Sequence, residues 1–202
     1  MNSFFSQIRF VEENFHEITE SPEVVLDMKY STEDNFMKAD VYAGFKRCFL
    51  SPVAAGMFVK ACEDLRQNHP QLQFHIWDAL RPRSIQAKFY QYLAGTPFQN
   101  YVAAPHPGSL HNFGMALDLT LQTKGGELLD MGTGFDDFRD LAQPKLEAKF
   151  VASGELTSEQ LKNRLLLREL LEKQGFKVLE HEWWHFNALP KEQVYGKHPI
   201  LE

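Results

Sequence analysis

Residues 115–121, with the sequence MALDLTL, place one acidic side chain inside an otherwise apolar segment. Methionine or leucine occupies every second position, which predicts a β-strand with one buried face. Asp118 lies on the other face with Ala116 and Thr120. An isolated ionised carboxylate in an apparently buried strand would be very costly unless it were paired or bound a metal ion. The chain must therefore fold so that other segments bring partners to Asp118.

The strongest helix patterns lie before and after this strand. Ser51 and Pro52 have the residue types that favour the N-cap and the first position of a helix, and the helical pattern VAAGMFVKACEDLRQN follows them. A shorter helical run, IQAKFYQYLA, begins after Ser84. The sequence TSEQ from Thr157 is a capping-box pattern before another helix, which Gly175 terminates.

Strand patterns alternate with these helices in no regular βαβ order. Residues 73–78 alternate and contain aromatic and β-branched side chains, which predicts a strand. Residues 176–189, FKVLEHEWWHFNAL, are also rich in such side chains and end at Pro190, so they are predicted to be strand-like. These patterns predict an α+β fold, in which a small, mostly antiparallel sheet is flanked by helices. The length of 202 residues fits a single compact domain spanning residues 1–202.

The charge and hydropathy of the chain exclude several classes of partner. The formal net charge is −6, and the basic residues are interspersed with acidic and apolar ones, so no basic stripe is offered to nucleic acid. No run approaches the roughly 20 apolar residues of a membrane span, and the N-terminal segment lacks the apolar core of a secretory signal. Only two cysteines, Cys48 and Cys62, are present, so a disulfide framework is not implied. We therefore expect a cytoplasmic protein that binds neither nucleic acid nor membrane.

Two histidine motifs compete as the source of metal ligands. The first is HEWWH at residues 181–185, which has the H-E-x-x-H spacing of zinc peptidases. That spacing works on a helix, where both histidines lie on one face and the glutamate lies beside the metal-bound water. Here the segment is short, is bounded by Gly175 and Pro190, and consists mainly of indifferent helix formers. This helical interpretation requires His181 to be a ligand.

The second interpretation combines distant segments. The sequence SLHNFGMALD places His111 in a loop seven residues before Asp118. Gly114 allows the chain to bend between them, so the two side chains can converge. His185 would supply a third protein ligand, and three nitrogen and oxygen ligands with water in the fourth position form a catalytic zinc site. Both interpretations share Glu182 and His185, and we prefer the second.

At these residues the sequence resembles the D-alanyl-D-alanine dipeptidases, the group typified by the vancomycin-resistance dipeptidase. They belong to a superfamily of zinc peptidases that also contains D,D-carboxypeptidases. The superfamily pattern, S-x-H-x-x-G-x-A-x-D followed much later by E-x-W-H, reads here SLHNFGMALD and EWWH. Features closer to the dipeptidases are KYSTEDNF at residues 29–36, WDALRP at 77–82, MGTGFD at 131–136 and the doubled tryptophan before His185. Together these motifs anchor most of residues 27–188.

The resemblance implies a catalytic zinc site at the sheet. His111, Asp118 and His185 would hold one Zn2+ per chain, and Glu182 would be the catalytic base. Arg81 would polarise the scissile carbonyl and stabilise its tetrahedral oxyanion.

The resemblance also implies that Tyr30, Ser109 and Asp136 line a dipeptide site. Asp136 is placed to receive the ammonium group of the substrate. The implied enzyme is a zinc metallopeptidase that hydrolyses the D-alanyl-D-alanine dipeptide to two D-alanines by zinc-activated water. One alternative is a D,D-carboxypeptidase that acts on cell-wall peptides with the same zinc site. The other is a binding module that retains the zinc but has lost the reaction.

Overall fold

The computed structural model describes residues 4–202, and six α-helices lie within that range. They are α1 (Ile8–Asn14), α2 (Pro52–Asn68), α3 (Arg83–Tyr92), α4 (Glu147–Ser153), α5 (Ser158–Glu172) and α6 (Lys191–Val194). The strands in the same range are β1 (His16–Ile18), β2 (Val24–Leu26), β3 (Cys48–Leu50), β4 (Leu72–Asp78), β5 (Ala116–Thr123), β6 (Lys177–Leu179) and β7 (Glu182–Asn187). Helices and strands are mixed along the chain, which confirms the predicted α+β class.

Five of the strands form the main sheet, in the order β2-β4-β5-β7-β6. β2 and β4 are parallel, whereas the pairs β4–β5, β5–β7 and β7–β6 are antiparallel, so the prediction of a mostly antiparallel sheet is confirmed. β1 and β3 form a separate antiparallel pair. β5 is the central strand of the main sheet, which places the predicted apolar strand at the middle of the fold.

The two long helices begin where the sequence predicts. Ser51 Oγ accepts a hydrogen bond from the Ala54 backbone N–H at 3.2 Å and so caps α2. At the start of α5, Thr157 and Gln160 form the predicted capping box, with reciprocal hydrogen bonds of 2.8 and 3.2 Å. These caps satisfy backbone donors that the first turn of each helix would otherwise leave without partners.

The two faces of the main sheet have different chemistry. Leu121 on β5 pairs with Phe74 on β4, and the ring of Phe74 packs 5.2 Å from that of Phe58 on α2. The apolar face of β5 is therefore the one that α2 covers. Asp118 lies at an alternate position on β5 and faces the other side, as predicted. Within residues 4–202, no helix is both long enough and apolar enough to cross a bilayer.

Candidate active site

Three polar residues form a row across the middle of the main sheet. Asp118 on β5 pairs with Asp78 on β4 and with His185 on β7. Directly opposed residues in antiparallel strands project from the same face of a sheet, so all three side chains lie on the face away from α2. A register shift between Ile76 and Asp78 makes this possible, because regular alternation would turn Asp78 to the apolar face.

His111 reaches this row from a 3₁₀ turn, Leu110–Phe113, that immediately precedes β5. Gly114 ends the turn with a φ of 61°, in the left-handed region. A Cβ at this position would lie 2.6 Å from the Ser51 backbone nitrogen, so the close approach requires glycine. The expected bend between His111 and Asp118 is therefore present.

The ligand atoms of His111, Asp118 and His185 all lie within 4.8 Å of one another. His185 Nδ1 is 3.0 Å from Asp118 Oδ1 and 3.1 Å from His111 Nε2, and His111 Nε2 is 3.3 Å from Asp118 Oδ2. Atoms bound about 2.0–2.1 Å from a tetrahedral zinc ion lie about 3.3–3.4 Å apart. The observed separations agree with that spacing to within a few tenths of an ångström. Two imidazole nitrogens and one carboxylate are also a donor set that zinc accepts.

The outer nitrogen of each histidine is held by a hydrogen-bond acceptor. His111 Nδ1 donates to the carbonyl oxygen of Ala79 at 2.6 Å, and His185 Nε2 donates to Asn187 Oδ1 at 2.9 Å. A proton on each outer nitrogen leaves the lone pairs of His111 Nε2 and His185 Nδ1 directed into the cluster. Both rings are therefore oriented as metal ligands.

The charges of the cluster favour an ionised carboxylate. Burial acts to raise the pKa of Asp118, but its interactions with His111 and His185 outweigh burial and hold the pKa below its usual range. For His185, burial acts to lower the pKa, and the hydrogen bond and charge of Asp118 raise it. An anionic oxygen is thus available to a bound cation.

Glu182 is the first residue of β7 and lies beside the ligand cluster. Its Oε2 is 3.8 Å from His185 Nδ1. Burial raises the pKa of Glu182 to about 7, with the charges of His185 and Arg81 opposing the rise and that of Asp118 adding to it. A carboxyl group whose pKa is near neutrality is suited to exchange protons as a general base and acid.

The helical interpretation of HEWWH is wrong. Glu182 to His185 lie in strand β7, where the alternation of side chains replaces the helical repeat. His181 lies in the turn before β7, is exposed, and has its Nδ1 3.0 Å from Lys145 Nζ and 3.4 Å from Gln143 Oε1. His181 therefore lies outside the ligand cluster.

Arg81 is buried and held in one orientation by hydrogen bonds. Its Nε and Nη2 donate to Asp78 Oδ2 at 2.8 and 2.6 Å, and its Nη1 donates to Gln86 Oε1 at 2.9 Å. The other oxygen of Asp78 accepts a hydrogen bond from Tyr42 at 2.7 Å. A longer contact of 3.4 Å joins Arg81 Nη2 to Asp118. The guanidinium group is thereby placed next to the ligand cluster with one Nη1 hydrogen still free to donate.

Asp136 lies in the loop between β5 and α4, where it contacts Tyr30. The Tyr30 hydroxyl donates to both carboxylate oxygens of Asp136, at 3.0 and 3.1 Å. Within residues 4–202, no cationic side chain forms an ion pair with this carboxylate. Burial, and then the charge of Asp118, raise the pKa of Asp136 well above its usual range. A cation placed beside Asp136 would supply the missing opposite charge.

A single cavity brings the predicted site residues together. It is lined by all eight of them, Tyr30, Arg81, Ser109, His111, Asp118, Asp136, Glu182 and His185. Ser109 caps the turn that carries His111, since its Oγ accepts a hydrogen bond from the His111 backbone N–H at 3.3 Å. The roles of the individual residues stay predictions, but the geometry allows all eight to act on one small molecule.

Sequence reasoning missed several residues of the site. The sequence does contain a signal for Asp78, because an acid three residues before an arginine in WDALRP indicates an ion pair between them. Tyr42, Gln86 and Asn187 carried none, since each contacts the site through tertiary structure. Asn187 and Gln86 also line the cavity.

Comparison with known proteins identifies relatives of this chain. The sequence model of a peptidase family described as D-ala-D-ala dipeptidase matches residues 12–200. A D-alanyl-D-alanine dipeptidase of Escherichia coli K12 is 33% identical over 180 residues, which are 89% of this chain and 84% of that protein. Proteins of the same name from Enterococcus faecium and Enterococcus faecalis are 32% and 27% identical over 183 residues each. These alignments cover 79% and 81% of this chain and 83% and 85% of the two enterococcal proteins.

Proposed function

We infer the function of this chain from its family, since it belongs to the D-ala-D-ala dipeptidases, a family of zinc-dependent peptidases. The chain is a metallopeptidase, and we propose that it hydrolyses the free dipeptide D-alanyl-D-alanine to two D-alanines. We assign His111, Asp118 and His185 as the ligands of one zinc ion. The proposal treats residues 1–202 as one dipeptidase domain, with its motif-bearing core at about 27–188.

One observation supports this substrate most directly. Asp136 carries a carboxylate without a cationic partner among the described residues, and it lines the same cavity as the ligand cluster. A free dipeptide has an ammonium group next to its scissile bond, whereas a peptide-bonded nitrogen carries no charge. The cavity therefore offers a counter-charge that only a free amino terminus can use.

The proposed reaction is hydrolysis by attack of water on the peptide carbonyl. A bound zinc ion supplies Lewis acidity, which acidifies water and polarises the carbonyl group. Glu182 accepts the proton of the attacking water on its carboxylate and then transfers it to the leaving amine, a role that suits its pKa of about 7. Glu182 therefore acts first as a base and then as an acid.

Arg81 stabilises the charge that develops on the carbonyl oxygen. Its bonds to Asp78 and Gln86 hold the guanidinium group before substrate arrives, and the rings of Phe89 and Tyr30 lie 4.9 and 5.2 Å from Arg81 Cζ. A donor that is already oriented needs no reorganisation during the reaction, which makes its stabilisation of the transition state larger.

A cytoplasmic location is a further part of the proposal. It is supported by Cys48 and Cys62, which are both free thiols and whose burial raises their pKa values. Free, unreactive thiols are typical of reducing compartments. Cell fractionation tests this location.

The function is tested by comparing D-Ala-D-Ala, N-acetyl-D-Ala-D-Ala and L-Ala-L-Ala as substrates. We expect rapid cleavage of D-Ala-D-Ala and little cleavage of the other two. Loss of the charged partner of Asp136 costs about 1–3 kcal/mol, which corresponds to about 5- to 150-fold discrimination against the acetylated form. Asp136→Asn should weaken that discrimination.

Comparable rates on the free and acetylated dipeptides would exclude the dipeptidase and indicate a D,D-carboxypeptidase with the same zinc site. A zinc-loaded protein that cleaves neither substrate would instead indicate a binding module.

A further inference from the structure

The opposite end of the dipeptide also carries a charge. If the proposed substrate is correct, its terminal carboxylate enters a cavity whose lining already contains the acids Asp118, Asp136 and Glu182. A carboxylate in such a cavity needs hydrogen-bond donors and a positive charge close to it. Candidate residues are those that line the cavity and have a donor group without a hydrogen-bond acceptor among the described residues.

Ser109, Asn187 and Lys191 are among the residues with such donors. Ser109 Oγ accepts from the His111 backbone N–H, and its own hydroxyl proton has no acceptor within residues 4–202. Asn187 Oδ1 is bound to His185 Nε2 at 2.9 Å, which orients the side-chain amide, and its Nδ2 donors have no acceptor in the same range. Lys191 is exposed at the edge of the cavity, and its ammonium group forms no ion pair with the described residues.

The charges of the lining single out Lys191. Arg81 is also a cation in the lining of the cavity, but its Nε and Nη2 are already bound to Asp78. Lys191 therefore has the positive charge in this cavity that is available to an incoming anion. Its mobile side chain and three donors suit a terminal carboxylate.

Contacts of Tyr195, directly after α6, fix the position of the helix that carries Lys191. Lys191 is the first residue of α6, and α6 is followed by Tyr195, whose hydroxyl donates to the carbonyl of Gly108 at 2.8 Å. The ring of Tyr195 also packs 5.5 Å from that of Phe113. The helix is thus fixed against the turn that Ser109 caps, whereas Asp136 is held by Tyr30 on a separate loop. The two charged ends of a dipeptide can therefore meet opposite charges carried by different elements.

We propose that Lys191 pairs with the substrate carboxylate, in a subsite of the cavity that Ser109 and Asn187 also line, and that Lys191 makes the enzyme prefer a free carboxyl terminus. This inference rests on the proposed function for the identity of the substrate. Recognition of the carboxylate is independent of recognition of the amino terminus, since a dipeptidase and a carboxypeptidase both need it.

The experiment measures KM and kcat of the zinc-loaded protein on D-Ala-D-Ala and on its carboxyl-terminal amide, D-alanyl-D-alaninamide. The parent should have a higher KM for the amide. Lys191→Met should raise KM for D-Ala-D-Ala about five- to tenfold, as expected for loss of one charged hydrogen bond at a partly exposed site. Its kcat should stay within about twofold of the parent, and its KM for the amide should not change. Lys191→Arg, which keeps the charge, should restore the parent KM.

Lys60→Met is the matched control, because Lys60 is an exposed lysine on α2 that does not line the cavity. It removes the same net charge and should change neither KM. An unchanged ratio of the two KM values in Lys191→Met would overturn the subsite, and so would a loss of kcat that is equal on both substrates.

The same measurements separate this inference from the proposed function. If the parent cleaves N-acetyl-D-Ala-D-Ala as fast as the free dipeptide, the dipeptidase assignment falls, and the subsite is still judged by the effect of Lys191→Met. If the zinc-loaded parent cleaves neither compound, the proposed function and the subsite are both overturned.

Discussion

Asp118 is 3% exposed, and its carboxylate is surrounded by polar groups from three segments of the chain. His111 comes from the turn before β5, His185 from β7, and Arg81 from the segment after β4. At the residue scale, this convergence resolves the cost that a buried carboxylate imposes on an apolar strand. A divalent cation between them would bind the donor atoms of His111, Asp118 and His185 at once.

Metal content of four variants tests the ligand assignment. His111→Ala, Asp118→Ala and His185→Ala should each lose zinc or bind it much more weakly, because each removes one of the three converging donor atoms. His181→Ala should keep about one zinc per chain, since His181 faces Lys145 instead of the cluster. Elemental analysis of the purified, folded proteins gives the answer. A metal-free His181→Ala protein would contradict the assignment.

Glu182→Gln tests the separation of base from ligand. The variant keeps the size of the side chain and lacks only the ability to accept a proton, so it should fold and bind zinc normally. Its kcat should fall by about 10²–10⁴-fold, the usual contribution of a general base. Hydrolysis of D-Ala-D-Ala at close to the parental rate, with zinc bound, would rule out the proposed mechanism.

At the scale of elements, the turn that carries His111 depends on a backbone conformation at Gly114. Gly114→Ala should destabilise the fold by about 2 kcal/mol or more, because left-handed backbone is costly for alanine and its Cβ would lie 2.6 Å from the Ser51 backbone nitrogen. Urea unfolding of the zinc-free protein measures this change without the contribution of metal binding.

Gly56→Ala is the matched control for that experiment. Gly56 lies on the exposed side of α2, where an added Cβ meets no atom within 4 Å. Because alanine is the better helix former, this variant should be more stable than the parent by about 0.5–1 kcal/mol. Equal effects of the two substitutions would mean that the turn does not constrain Gly114.

The elements that the sequence predicts well are those whose signals are local. The boundaries of α2 and α5 follow from their capping residues, and β5 follows from its alternation. The short strands β1, β2 and β3 have three residues each, which is too few for a periodic pattern, so only their pairing partners define them.

The site shows the same division between local and tertiary signals. His111, Asp118 and His185 can be found from motif spacing, because their chemistry restricts the residue type. Tyr42 and Asn187 are recognised only when the fold brings them to Asp78 and His185. The letters of HEWWH mislead for a related reason, since the same spacing on a strand has a different geometry.

At the scale of the whole molecule, ion pairs between distant segments make stability depend on pH. Asp27, next to the end of β2, lies 3.1 Å from His75 Nε2 on β4 and 2.8 Å from Lys29 Nζ. The hydrogen bond from His75 lowers the pKa of Asp27 to about 2, with burial opposing and Lys29 adding to the effect. The edge strand β2 is thereby linked to the sheet by charge as well as by backbone hydrogen bonds.

This linkage predicts an effect of acid on the free energy of unfolding. A carboxyl group whose pKa is lower in the folded state stabilises the protein above its unfolded pKa, near 3.8, and loses that contribution as pH falls through about 2. Asp27→Asn should therefore cost about 1 kcal/mol at pH 6, a value reduced for the partly exposed carboxylate, and almost nothing near pH 2. Asp40→Asn, at an exposed aspartate without an ion pair among residues 4–202, is the control and should show no such trend. Urea unfolding of the parent and both variants across this pH range makes the comparison, in which the other titrating groups cancel. A difference between parent and Asp27→Asn that stayed constant from pH 6 to pH 2 would show that the stabilisation comes from packing and not from the charge of Asp27.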